Sequence, residues 1–274
     1  MTVWINGQLF PDDTAGISIF DHGLVVGDGV FETVKVTYGV PFALTRHLAR
    51  LRASAEGLGL ATPDPDQITA AVLALLEESG WPEQARVRIT VTAGLSALGS
   101  ERGESPLTVI VALGTLTERG QYCDVVTVPW PRNERSALSG LKTTSYAENV
   151  LALSYARDRG GGEAIFGNTA GNLCEGTGSN VFVVAGGRLI TPPLSSGCLA
   201  GVTRGLVIEW VGADEEDLPI GALAAAEEAF LTGTTRDVQP IRSVDGTMLP
   251  AAPGPVTRKV ADSFMARSAE VADP

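Results

Sequence analysis

The chain has 274 residues, 44% of them hydrophobic and 19% charged, and its 20 Lys+Arg against 32 Asp+Glu leave a formal charge of -12 at pH 7. That balance excludes a disordered chain and argues against a non-specific nucleic-acid binder, which presents a basic footprint, while the length allows one large domain or two modest ones. Cys123, Cys174 and Cys198 are too widely spaced for a disulfide framework or a zinc site, no apolar run reaches the roughly 18–20 residues of a membrane span, and no signal core follows the N-terminus, so a cytoplasmic location is expected.

Residues 3–5 and 8–10 read as a hairpin about the Asn6-Gly7 turn. Gly23, Gly27 and Gly29 precede an alternating strand through Val36, an approach that lets backbone come close to a ligand or a partner subunit and is equally compatible with an ordinary turn. From Thr45 the period becomes helical, with Leu48, Leu51, Ala55 and Leu58 on one face; Arg50 either turns inward with that stripe to meet an anion or stays at the surface. A breaker at Thr62–Pro65 is followed by a second amphipathic helix over 66–79. Strands come next over 85–93 and 107–114, separated by a Gly/Ser-rich loop of the kind that borders pockets.

The strand pattern lapses over 115–121, which puts a domain boundary at 117/118. Beyond it a strand over 122–128 and a rigid Pro129–Arg135 segment lead to Lys142, which sits after small residues and directly before a helix over 146–159. Short strands over 163–166, 172–175, 181–184 and 189–191 bracket the Gly176–Asn180 bend. The Gly197–Gly201 approach then enters a helix over 202–210. Ala222–Glu228 reads as helical, 229–232 as a strand ending in Gly233–Arg236, 238–246 as strand, turn and strand, and 254–267 as a closing helix.

Lys142 alone is an ordinary lysine at a helix approach. The segments Cys174–Phe182 and Leu199–Arg204 add a carboxylate able to hold a ring nitrogen, together with backbone donors and a hydroxyl able to hold a phosphate, an inventory that fits pyridoxal 5'-phosphate. In that reading Lys142 forms the Schiff base and moves the α proton, and Glu175 favours the protonated ring nitrogen. The phosphate falls to Arg50, Thr203 and Thr234 with the backbone amides of Val202 and Thr203. Tyr146 either bonds the cofactor's phenolate oxygen or packs in the core. Phe31, Thr235 and Arg236 face substrate, Arg236 as a carboxylate clamp or as a solvated rim residue. His22 and His47 make no metal pair, and no metal is expected.

These residues resemble the fold-type IV pyridoxal-phosphate enzymes, the group of branched-chain aminotransferases, D-amino-acid aminotransferases and 4-amino-4-deoxychorismate lyases. The resemblance runs through Asp28–Thr33, Arg46–Leu51, Leu141-Lys142, Glu175–Asn180 and Gly201–Arg204, nearly the whole chain. It implies a mixed α/β and α+β fold of the D-amino-acid aminotransferase type, with a smaller N-terminal α/β domain over 1–117, a larger cofactor-binding domain over 118–274 and the cofactor in the interdomain cleft. It also implies a homodimer acting on small amines and keto acids, with no nucleic acid or membrane partner. Two departures bear on substrate: Gly94–Ser100 stands where D-amino-acid aminotransferases carry an Arg-x-His carboxylate trap, and Tyr146 lies closer to the lysine than the tyrosine of branched-chain enzymes. The compact length and the Arg102-Gly103 loop look toward the lyases. The expected activity is transfer of an amino group between an amino acid and a 2-oxo acid; the alternative is release of pyruvate and 4-aminobenzoate from 4-amino-4-deoxychorismate.

Overall fold

A computed structural model describes residues 2–116 and 120–274, so the boundary expected at 117/118 lies outside the described residues. The chain gathers into two compact units, one of N-terminal residues joined by Leu141–Tyr146 and Ala272–Pro274, the other of the remainder.

In the first unit β1 (Thr2–Ile5), β2 (Gln8–Pro11), β3 (Gly29–Thr37), β4 (Val40–Pro41), β5 (Gln84–Thr92) and β6 (Thr108–Thr115) form an antiparallel sheet in the order β2-β1-β6-β5-β3-β4. Three helices complete it: α1 (His22–Val25), α2 (Leu44–Gly57) and α3 (Pro65–Glu78). Strand alternation sorts the side chains, and Val34, Val36, Val87, Ile89, Val91 and Val111 form one core with Leu48 and Leu51 of α2 and Leu75 of α3. Each such side chain contributes about 1.5–3 kcal/mol when fully buried, so the helix-covered face holds the unit together. By the same alternation Phe31, Thr33, Arg86, Arg88 and Thr90 project from the opposite face.

The two longer helices start differently. Asp64 caps α3 by accepting from the Asp66 N–H, with Pro65 in the first turn. At the start of α2, Ala43 is left-handed (φ +54°) and has no side chain to cap with. Asp273 supplies the cap instead, accepting from the Thr45 N–H at 3.0 Å and the Thr45 hydroxyl at 2.5 Å. The Ala43 N–H donates to Ala272 O at 2.7 Å, and Arg46 Nε to Pro274 O at 2.7 Å.

The second unit contains β7 (Cys123–Thr127), α4 (Ala147–Arg157), β8 (Glu163–Gly167), β9 (Leu173–Gly176), β10 (Asn180–Ala185), β11 (Arg188–Thr191), α5 (Val202–Val211), β12 (Asp214–Glu215), β13 (Glu228–Gly233), β14 (Asp237–Val244), β15 (Thr247–Met248) and α6 (Pro255–Glu270). Its strands run β12-β11-β10-β13-β14-β7-β8-β9, with β15 on β14. β7 lies parallel to both β14 and β8. Ile165, Val181, Val183, Leu231 and Ile241 fill the main core, and the cross-strand pair Phe182 and Phe230 stacks with centroids 4.9 Å apart.

The helix expected over Ala222–Glu228 is not formed. A 3-10 turn at Ile220–Ala222 gives way to further turns, and Glu228 opens β13. The alanines favour helix locally, but Leu223 and Ala226 are buried and the Glu228 carboxylate caps α6, accepting from the Val256 N–H at 3.1 Å and the Thr257 N–H at 2.8 Å. Gly254 makes room for it: a Cβ there would lie 2.0 Å from Glu228 Cδ. Tertiary demand overrides propensity here. Residues 237–244 likewise form one uninterrupted strand, with only the short β15 as its return.

Candidate active site

In the first unit the lysine segment lies along β3. Phe31 N–H donates to Lys142 O at 2.9 Å, Thr144 N–H to Gly29 O at 2.8 Å, and Lys142 N–H to the buried Ser54 hydroxyl of α2 at 3.1 Å. The glycines that precede β3 permit this approach. Gly27 has φ +72°, and a Cβ on it would lie 2.9 Å from Ser145 Oγ; a Cβ on Gly29 would lie 2.8 Å from Val91 O and 3.1 Å from Thr144 Oγ1. The lysine backbone is therefore fixed on two sides.

Its half-buried side chain carries Nζ to 4.3 Å from the Phe31 ring centroid and 5.9 Å from that of Tyr146. Phe31 and Tyr146 meet edge to face at 5.0 Å, and Arg88 Cζ lies 3.4 Å from the Phe31 centroid. Three residues expected from the sequence, Phe31, Lys142 and Tyr146, are thus brought together. Arg88 was missed, although Arg86 and Arg88 alternate with core valine and isoleucine and so had to project from the open face. A pocket there is lined by Thr33, Arg86, Arg88, Ala112, Leu113 and Gly114.

Arg50 does turn inward. Its Nε and Nη2 bond the two oxygens of Glu32 at 2.7 and 2.8 Å, and His47 Nδ1 donates to Glu32 Oε2 at 2.7 Å. Glu32 is fully buried, which alone would raise its pKa, but the Arg50 charge and the bonds from Arg50 and His47 outweigh burial and hold it at about 2. Burial pushes His47 below its ordinary value against the pull of Glu32, with the charges of Arg50 and Lys142 adding to the effect. A neutral His47 that donates from Nδ1 follows. Glu32 was also missed: it occupies a position in β3 between Val30 and Val34, where a lone carboxylate on the core face signals a partner on the covering helix.

In the second unit Glu175 lies on β9, with Oε2 accepting from the Leu199 N–H at 2.9 Å and Oε1 3.5 Å from Arg132 Nε. The Arg132 guanidinium sits over the Phe166 ring at 4.1 Å and bonds Glu148 and Asn149 Oδ1. Proline-rich surroundings hid Arg132 from the sequence reading. At the start of α5 the preceding loop wraps Asn180, whose Nδ2 donates to Leu199 O at 2.8 Å; a Cβ on Gly201 would lie 2.0 Å from Asn180 Oδ1. Gly201, at the N-cap position, has no side chain to cap this helix with, Thr203 is buried in its first turn, and α5 packs against β13. Thr234 and Thr235 follow β13 in a turn closed by Arg236 N–H to Gly233 O at 2.9 Å. The Arg236 side chain runs inward: Nη2 bonds Glu163 Oε2 at 2.7 Å and Nη1 bonds Gln239 Oε1 at 2.5 Å.

A family model described as amino-transferase class IV matches residues 29–244. A putative branched-chain-amino-acid aminotransferase of Methanocaldococcus jannaschii is 33% identical over 96% of this chain and 95% of its own length. The crystal structure of the Thermoproteus uzoniensis branched-chain aminotransferase with norvaline is similar at TM-score 0.90 and 30% identity, covering 97% of this chain and 93% of that one. A T.th. branched-chain amino acid aminotransferase, complexed with N-(5'-phosphopyridoxyl)-L-glutamate, is similar at TM-score 0.87 and 27% identity, covering 96% and 92%.

Proposed function

The chain belongs to the class IV aminotransferases, and on that premise we propose that it moves an amino group between an aliphatic amino acid and 2-oxoglutarate, with pyridoxal 5'-phosphate as cofactor. The observation that carries this reading is the lysine segment itself: a backbone fixed to β3 and α2, with its amine held over Phe31 and beside Tyr146. The residues of the second unit fit the cofactor on their own chemistry. Glu175 has one oxygen on the Leu199 N–H and the other beside the Arg132 guanidinium, an acceptor placed for a protonated ring nitrogen, and the start of α5, where the N-cap residue Gly201 carries no side chain, offers oriented amides next to the buried Thr203.

Bound there, pyridoxal 5'-phosphate would supply the electron sink for breaking the Cα–H bond of the amino donor. Lys142 would hold it covalently and, once displaced, carry the proton from Cα at its Nζ. Glu175 would hold the ring nitrogen, and Tyr146 would steady the oxygen on the ring. Arg50, Thr203, Thr234 and the amides of Val202 and Thr203 would hold the phosphate, with Glu32 fixing the Arg50 fork. Phe31 and Thr235 would face substrate.

Aliphatic donors are supported by the relatives named branched-chain aminotransferases and by the norvaline in one of them. An acidic acceptor is supported by Arg86 and Arg88, which line one pocket, and by the phosphopyridoxyl-L-glutamate bound to another. Partial removal from water lowers the Arg88 pKa to about 10, which leaves it cationic at neutral pH. The lyase alternative is not favoured, since the similar proteins are named as aminotransferases. The same reading includes a homodimer, supported by Ile17, Ile19, Phe20, Leu24, Leu95 and Leu98, exposed on two segments that bond each other through His22 N–H to Gly94 O and Ser96 N–H to Phe20 O.

The test is a half-reaction panel. Leucine, isoleucine and valine are expected to convert the bound cofactor to its amine form, and 2-oxoglutarate to return it; borohydride is expected to fix the cofactor on Lys142 and not in Lys142→Ala. Pyruvate and 4-aminobenzoate formed from 4-amino-4-deoxychorismate without an acceptor would overturn the assignment.

A further inference from the structure

We propose that Glu163 is a positioning residue that sets the distance between the ring-nitrogen carboxylate Glu175 and the phosphate-side turn at Thr234, an inference that rests on the cofactor reading above. Glu163 opens β8 with 1% of its surface exposed and accepts from five donors. Oε1 takes the Ala164 N–H at 3.1 Å, the Thr177 N–H at 3.2 Å and the Thr177 hydroxyl; Oε2 takes the Ser179 hydroxyl at 3.1 Å and Arg236 Nη2 at 2.7 Å. A carboxylate has about four lone-pair sites, so this one is saturated, the condition under which a buried charge is tolerated.

The origin of those donors is what assigns the role. Thr177 and Ser179 belong to the turn that follows β9, which carries Glu175, and Arg236 to the turn that carries Thr234 and Thr235. One carboxylate therefore ties together the two turns that flank the proposed cofactor contacts. The network continues on both sides. Thr177 O accepts from Asn149 Nδ2 at 2.6 Å, and Asn149 Oδ1 accepts from Arg132 at 3.2 Å, whose Nε faces Glu175. On the other side Arg236 bonds Gln239, which donates to Gly120 O at 2.7 Å.

The fit leaves no slack. A Cβ on Gly176 would lie 2.3 Å from Ser179 Oγ and 3.2 Å from Glu163 Cγ, so the turn closes over the carboxylate only because residue 176 has no side chain. Glu163 touches neither cofactor nor substrate in this scheme; it acts through Thr177, Ser179 and Arg236. In Glu163→Gln the shape is kept, but an amide N–H₂ must face a set of donors, and one turn has to move.

The experiment titrates the apoprotein with pyridoxal 5'-phosphate for wild type, Glu163→Gln and Ser179→Ala, alongside thermal unfolding and kcat and KM for the amino donor. Glu163→Gln is expected to weaken cofactor binding about 10- to 100-fold and to lower kcat by a similar factor, with KM for the donor little changed, because misplacement of a reacting group falls on turnover. Ser179→Ala, which removes one donor to the same carboxylate, is expected to shift both in the same direction by a smaller factor. A merely structural role predicts a lower Tm with wild-type cofactor affinity and kcat in the folded protein, and that result overturns the proposal. If Glu163→Gln does not fold, Ser179→Ala decides: wild-type affinity and kcat there overturn it equally. Wild-type protein that takes up no cofactor is a separate outcome, which overturns the cofactor reading and this inference with it.

Discussion

Glu32 shows how much one buried carboxylate determines. It sits among valines on the core face of β3 and is stable there only because Arg50 grips both its oxygens while His47 donates to one. Glu32→Gln would leave the Arg50 charge without its counter-ion, and the expected cost at neutral pH is about 3–5 kcal/mol in urea unfolding. The pH dependence has a definite sign. The folded-state pKa lies near 2, below the ordinary 4.5, so the stabilisation is fully present above about 4.5 and drains away as pH falls toward 2. In Glu32→Gln that portion of the acid slope is expected to be missing, and an unchanged slope would mean that Glu32 is not the group responsible. The lone carboxylate was present in the alternation of β3 from the start. What the alternation could not supply was the identity of its partners, because a helical period locates Arg50 and His47 only to within a face.

The elements most legible in the sequence are those in which one period runs for three or more turns or pleats: the alternating β3 and β5 and the amphipathic α2 and α3. The short strands over 3–5, 8–10, 163–166 and 181–184 were legible as well, from the turn residues that bound them, whereas pieces specified from outside their own segment were not. The single turn α1 depends on the Asp21 side chain accepting from the Gly23 N–H, and the alanine stretch after Ile220 obeys Glu228 and its hold on α6. α1 also anchors a loop. His22 Nδ1 meets Asp28 at 2.7 Å and Nε2 meets Gly99 O at 2.8 Å, while Arg102 bonds both oxygens of Asp28 and the carbonyls of Leu58 and Gly59. With an acceptor at each ring nitrogen, the bond to Gly99 and then that to Asp28 raise the His22 pKa above 6.5 against burial. A raised histidine stabilises fully below its unfolded value and loses that contribution as pH rises through the folded one, when the neutral ring keeps only one N–H. Amide exchange across residues 94–106, corrected for intrinsic rates, is therefore expected to accelerate as pH rises through the His22 pKa. His22→Gln should exchange quickly at every pH, and a wild-type loop insensitive to pH would refute the anchor.

At the scale of the whole molecule, charge and apolar surface oppose each other. Two copies carrying -12 each repel at long range, whereas the exposed Ile19, Leu98 and their neighbours gain by leaving water. Salt screens the first without removing the second, so sedimentation is expected to show a dimer that tightens from about 10 mM to about 150 mM ionic strength. Ile19→Asp combined with Leu98→Asp should be monomeric at both, and a dimer that survives the pair of substitutions places the contact elsewhere. Nothing in the residue order signalled that the first unit recruits residues from far along the chain, since contacts between distant segments leave no local period. The cap that Asp273 places on Thr45 spans 228 positions. At about 5–20 residues per second of translation, α2 waits on the order of 10–50 s for it. The helix that bears Arg50 is thus synthesised well before the residue that completes its first turn.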